Sequence, residues 1–204
     1  MIGIIDYGSG NVRAFANAYR LLDIPATIIR REAELDRVSR LIIPGVGAFD
    51  HAMQSLAASG LRPRLEELVL GERMPVLGVC VGMQMFAGAS EEGQLAGLGW
   101  IRGRVRRFDP ARLGGVTAIP HMGWNQVQPT KGGGLMAGLD SDSRFYFLHS
   151  YYVECDDQAD VVAVTDYGRA FACAVQRGNI YGVQFHPEKS HRHGIQLLQN
   201  FAQV

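Results

Sequence analysis

Four short apolar runs punctuate the first eighty residues: Ile2 to Asp6, Ala26 to Arg30, Leu41 to Ile43 and Val76 to Val79. Each is too brief for a helix and is flanked by turn formers, which is how buried strands read in a sequence. Pro25 precedes the second run, and Pro44-Gly45 reads as a turn that closes the third. Between the first two runs, Val12, Phe15, Tyr19 and Leu22 recur at helical spacing and mark one apolar face. From Ala48 to Leu70 two further helical patterns follow one another, separated near Gly60, with Gly71 closing the second. Strands alternating with helices predict an α/β architecture in which an open, mostly parallel central sheet is flanked by helices.

The texture changes after Gly99. Arg104 to Phe108, Trp124 to Gln128, Phe145 to Val153, Val161 to Thr165, Phe171 to Gln176 and Ile180 to Phe185 all read as strands. A last helix, from about His191 to Gln203, carries Ile195, Leu198 and Ala202 on one side and returns to cover the sheet. The expected fold is therefore flavodoxin-like with a β-rich second half, and residues 1–204 read as one domain.

Charge narrows the function classes. The 20 basic and 20 acidic side chains cancel, and no long block of like charge occurs, so neither a nucleic-acid groove nor a polybasic membrane surface is expected. The most basic spot, RGRVRR from Arg102 to Arg107, reads as a solvated strand or loop. The N-terminus resembles a first strand rather than a secretory signal, and no apolar run approaches the about 18 residues of a membrane span. Cys80, Cys155 and Cys173 are odd in number and far apart, which suits a reducing cytoplasm better than a disulfide framework or a metal site.

One of those cysteines stands apart. Cys80 follows the Val76 strand and sits two residues from glycine on either side, in LGVCVGMQMF. Flanking glycines weaken a strand but allow close approach, so a strand ending near Val79 and a helix beginning at Val81 would place Cys80 on a nucleophile elbow. The open N–H groups of that helix favour the thiolate, the nucleophilic form. A thiol nucleophile also needs a proton-carrying partner. His186 ends a predicted strand and precedes Pro187 and Glu188, and proline geometry would project histidine and glutamate from one side of the backbone. Cys80, His186 and Glu188 then form a triad with the carboxylate holding the imidazole. Backbone donors for an oxyanion could come from Val46 or Gly47, in the PGVG turn, and from Val81.

PGVGAF at 44–49, GVCVGMQ at 78–84 and FHPEKS at 185–190 resemble the class I, or triad, glutamine amidotransferases, and the resemblance spans nearly the whole chain. Where that class usually shows Pro-Gly-Gly, this chain has Pro-Gly-Val-Gly. With DYGSGN at 6–11, HMGWN at 121–125 and KSHRHG at 189–194, this points to the branch that serves histidine biosynthesis. The resemblance implies hydrolysis of L-glutamine through a cysteine thioester, with ammonia handed to a (β/α)8-barrel cyclase that forms imidazole glycerol phosphate. It implies no cofactor and no metal. It further implies that Gln84 and Glu92 hold the substrate's polar end, with Gly47, Ser150 and Tyr151 completing the pocket. The residues alone leave Glu91 and Glu92 equivalent. Asn11, His121, Tyr146 and Lys189 are implied at the partner contact, joined by Trp124 and Asn125 of HMGWN, where an exposed tryptophan would serve as an aromatic anchor. A free-standing cysteine peptidase or amidase on a similar sheet would use the same cysteine and histidine, and a non-catalytic binding module would leave the thiol unreactive.

Overall fold

A computed structural model of the chain describes residues 1–113 and 118–204. The first half contains β1 (Ile2–Ile5), α1 (Val12–Leu21), β2 (Ala26–Ile29), β3 (Arg40–Gly45), α2 (Phe49–Ala58), α3 (Arg62–Glu66), β4 (Val76–Cys80) and α4 (Val81–Gln84). The second contains β5 (Ala89–Ser90), β6 (Gly103–Arg107), β7 (His121–Gln126), β8 (Gln128–Pro129), β9 (Arg144–His149), β10 (Tyr151–Cys155), β11 (Val161–Asp166), β12 (Ala170–Arg177), β13 (Ile180–Val183) and α5 (His191–Phe201).

The main sheet has the order β2-β1-β3-β4-β13-β12-β11-β8. Its first five strands pair in parallel, and the order matches the flavodoxin-like 2-1-3-4-5 pattern. β12, β11 and β8 extend it antiparallel. Parallel strands need both faces covered, and β1, β4 and β13 are buried at every position, as expected for continuous apolar runs. α1 turns Phe15, Ala18 and Tyr19 inward, and the Tyr19 hydroxyl donates to the Leu198 carbonyl of α5 at 3.2 Å. Buried side chains from both halves form one connected core. Among the described residues, no helix is long and apolar enough to cross a membrane.

Three expected boundaries shift. β3 does not stop before Pro44 but runs through it, with Pro44 in register with Val79 and Gly45 with Cys80. Proline has no N–H to offer a ladder, and β1 pairs with β3 only as far as Ile42, so Pro44 lies beyond that ladder; the Tyr7 hydroxyl donates to its carbonyl at 2.7 Å. The run from Phe145 to Val153 is two strands, not one: β9 pairs with β7, β10 pairs with β6, and Ser150 is the hinge between them. Finally, β13 ends at Val183, so His186 lies past the ladder and is joined to Tyr146 by an isolated bridge. The arginine-rich stretch is a solvated strand, as expected, with Arg106 bridging Glu91 at 2.7 Å and Glu154 at 2.8 Å.

Candidate active site

Cys80 closes β4 and caps α4 with φ 56° and ψ −115°. Non-glycine residues rarely adopt such a backbone, and the surrounding packing must hold it there. That packing is visible at the two flanking glycines. A Cβ on Gly78 would lie 2.6 Å from the Phe86 ring and 2.7 Å from the Gly82 carbonyl oxygen, and one on Gly82 would lie 1.9 Å from the Ile43 carbonyl oxygen. Only glycine lets α4 press onto β3 and β4 closely enough to force the turn. The elbow stands at the carboxyl end of the parallel strands, the usual location for chemistry in an open α/β sheet.

His186 approaches from the other side of the cavity. Its Nδ1 bonds Glu188 Oε1 at 2.9 Å, and both side chains are almost wholly buried, at 5% and 3% exposed. Pro187 starts a short 3-10 turn, Pro187–Lys189, which brings the carboxylate back under the ring. The ring also interacts with the Cys80 thiol. Burial works against a charged imidazole, but the Cys80 sulfur and the Glu188 carboxylate beside the ring outweigh it and raise the His186 pKa. A thiol, an imidazole and a carboxylate in this order can activate a sulfur nucleophile and return a proton to a leaving group. The thiol and the imidazole open on a cavity of about 290 Å³, also lined by Val46, Gly47, Val81, Gln84, Glu92, Ser150, Tyr151 and Lys189. Three segments distant in sequence therefore converge, and every residue expected to contact substrate or oxyanion borders the same space.

This arrangement fits a known family. The family model for class I glutamine amidotransferases matches residues 3–204. The chain belongs to that family. It is 52% identical to imidazole glycerol phosphate synthase subunit HisH of Leptospira borgpetersenii over 204 residues, covering 100% of both chains. It is 53% identical over 206 residues to the subunit of the same name from Bdellovibrio bacteriovorus, again with 100% coverage of each. In fold it resembles PurLQS from Thermotoga maritima, with a TM-score of 0.73, 16% identity, and coverage of 99% of this chain and 97% of that one.

The amidotransferase separates two glutamates that its sequence leaves equivalent. Glu91 turns outward to Arg106 and to the Arg107 N–H, whereas Glu92 lines the cavity and accepts the Phe49 N–H of α2 at 2.9 Å. Burial raises the Glu92 pKa against the lowering effect of that bond. Val81 opens α4, so its N–H has no helical acceptor and faces the elbow. Val46 differs: its N–H donates to the Ser9 hydroxyl at 3.0 Å, and the same hydroxyl donates to the Val46 carbonyl at 3.0 Å. In this amidotransferase Trp124 is 47% exposed, stacked on His191 and edge-on to Tyr146. Tyr146 and Asn125 are half-buried, and the Lys189 ammonium lies over the Tyr146 ring. Asn11 caps α1, accepting the Ala14 N–H at 3.2 Å. His121 is buried, not on the surface: it stacks between Phe147 and Tyr167.

Five residues at the site, Pro120 of the cavity wall among them, escape the sequence reading. Gln184 donates to the Cys80 sulfur, His149 and Leu148 line the cavity, and Ser9 engages Val46. Gln184 alone left a usable signal, since it stands two residues before His186 in the expected strand Ile180 to Phe185, where alternation would send both to one side, although in the structure both lie past β13.

His149 and His121 make the amidotransferase acid-sensitive. Burial lowers His121 to about 4, and burial followed by repulsion from His121 lowers His149 to about 3. Both are neutral in the folded chain but take up protons in the unfolded chain near pH 6.5. Stability is thus fully present above about pH 6.5 and declines as pH falls toward 4, because the unfolded state then binds more protons. The melting temperature should drop steeply as pH falls below 6. In His149→Gln, whose amide can still donate to Tyr151 and accept from His121, thermal melts should show a flatter acid limb; an unchanged limb would assign the sensitivity elsewhere.

Proposed function

We propose that this chain hydrolyses the side-chain amide of L-glutamine to glutamate and ammonia, and that the ammonia passes to a cyclase subunit making imidazole glycerol phosphate in histidine biosynthesis. The observation that carries the reading is the buried series of Cys80, His186 and Glu188 beside one cavity. Full-length identity to two subunits named for that synthase supports the rest. Residues 1–204 act as one amidotransferase domain, in a reducing cytoplasm that keeps all three cysteines as free thiols.

The Cys80 sulfur attacks the glutamine δ-carbonyl carbon, a C–S bond forms, and the carbonyl electron pair moves onto oxygen. Val81 N–H donates to that oxyanion; Val46 N–H supplies the second donor once it leaves the Ser9 hydroxyl. As the tetrahedral centre collapses the C–N bond breaks, and His186 gives its proton to the departing nitrogen. Water then attacks the thioester and gives a proton to His186; the C–S bond breaks and glutamate leaves. Gln84, Glu92, Gly47 and the backbone at Ser150 and Tyr151 hold the substrate's polar groups.

Ammonia released into water would be protonated and lost, so it needs a sealed route. The partner is a (β/α)8-barrel cyclase, seated on the face that carries Asn11, Trp124, Asn125, Tyr146 and Lys189, with His121 beneath it. Exposed Met122, Trp124, Leu148 and Val46 give that face an apolar character, and two of them also border the cavity, so one partner could cover the mouth and receive the product. Neither nucleic acid nor membrane takes part.

The test is to mix the chain with its cyclase and measure ammonia release from glutamine and cleavage of peptides. Glutamine turnover that rises on adding the cyclase supports the reading. Peptide cleavage without a partner would favour a free-standing peptidase.

A further inference from the structure

Gln184 is fully buried, and its side-chain amide spans the space between the nucleophile and the pocket wall. Its Nε2 donates to the Cys80 sulfur at 3.7 Å. Its Oε1 accepts from Gln84 Nε2 at 3.0 Å.

The direction of this amide is dictated from outside the site. The Tyr151 carbonyl can only accept, so both groups that reach it must donate: Gln84 Nε2 at 3.1 Å and His149 Nδ1 at 2.7 Å. With its Nδ1 protonated, neutral His149 has Nε2 as an acceptor, and His121 Nδ1 donates to it at 3.0 Å. His121 Nε2 in turn accepts from Asn125 Nδ2 at 3.2 Å. Every polarity along the chain follows from one carbonyl. Gln84 spends its two N–H bonds on Tyr151 and on Gln184 Oε1, and so Gln184 presents its N–H groups, not its oxygen, to the sulfur. A flipped amide would set two donors against each other at Gln84 and an oxygen against an anionic sulfur.

We infer that Gln184 is a further catalytic residue, donating a hydrogen bond to the Cys80 thiolate, with Gln84 as the positioning residue that fixes its orientation. The inference rests on Cys80 being the nucleophile. A donor aimed at the sulfur stabilises the thiolate both before attack and when it departs from the thioester, where negative charge returns to it.

The experiment follows alkylation of Cys80 by iodoacetamide in the full chain, read on the Cys80 peptide by mass spectrometry at pH 7 and pH 9. The titratable groups facing the sulfur, His186 with Glu188 behind it and Tyr7, are untouched by the variants. Gln184→Met, of similar volume, should react about tenfold more slowly than the parent at pH 7 and approach it at pH 9, above the about 8.5 of an ordinary free thiol. Gln84→Met should show a smaller deficit, about threefold at pH 7, that also closes by pH 9. A purely structural role predicts a deficit that is the same at both pH values, and that result, or equal rates at pH 7, overturns the inference. If Gln184→Met does not fold, the Gln84 variant decides by the same criterion. Failure of the glutaminase reading would appear separately, as turnover that survives loss of Cys80.

Discussion

Cys80→Ala is expected to cut glutamine hydrolysis by at least about a thousandfold while leaving the fold and the affinity for the cyclase unchanged. Removing the nucleophile of a triad abolishes the covalent route, and the remaining groups cannot recover it because they act as a unit. The fold should survive because the sulfur's contacts are few: besides the His186 ring, it meets the Leu148 carbonyl at 4.0 Å and Gln184 Nε2 at 3.7 Å. Alanine retains the Cβ on which the elbow packs. The informative arm supplies ammonium instead of glutamine. If the chain's only chemical task is to make ammonia, the complex with Cys80→Ala should form the cyclase product normally when ammonium is added, and fail with glutamine. Glutamine turnover within tenfold of the parent would place the nucleophile on another side chain. Neither alternative thiol is suited to the task, since burial pushes Cys155 up to about 12 and Cys173 higher still.

How much of this could be read from the chain follows from how local each feature is. The parallel sheet is written in short apolar runs whose spacing leaves no room for hairpins, and the elbow in two glycines around one cysteine; both are determined within a few residues. The pairing of His186 with Glu188 is likewise local, because they are two positions apart with proline between them. What escaped depends on partners far away in sequence. FYFLHSYYV carries uninterrupted strand propensity, and the break at Ser150 exists only because β6 and β7 recruit its two halves into different sheets. Glu92 differs from Glu91 only because Arg106 holds the latter at the surface. The Ser9–Val46 contact joins positions 37 apart, and nothing in PGVG announces it.

His121 shows the same limit from the other direction. Resemblance assigns HMGWN to the partner face, and alternation along β7 divides it: Met122 and Trp124 face outward, while His121 turns into an aromatic stack. The motif therefore joins an exposed apolar face to the interior, and His121 is the first buried member of the hydrogen-bond series that reaches the Tyr151 carbonyl.

Gly82→Ala should be among the most damaging single-methyl changes at the described glycines. The added Cβ would sit 1.9 Å from the Ile43 carbonyl oxygen and 3.0 Å from its carbon, which are backbone atoms of a central strand and cannot move aside like a flexible side chain. β3 is held between β1 and β4, so relief must come from lifting α4 off the sheet. Overpacking of this kind costs about 3 kcal/mol or more, which in a chain of this size lowers the melting temperature by roughly 6 to 12 °C. Because the same contact holds Cys80 at φ 56°, the displaced helix should relax the elbow, and reaction of Cys80 with iodoacetamide should fall alongside the melting temperature. Gly71→Ala is the matched control: a Cβ there meets nothing within 4 Å, and melting should stay within about 2 °C of the parent. If Gly82→Ala also melted within that margin, glycine would not be what permits the close crossing of α4 over β3, and the strained cysteine would need another source of support.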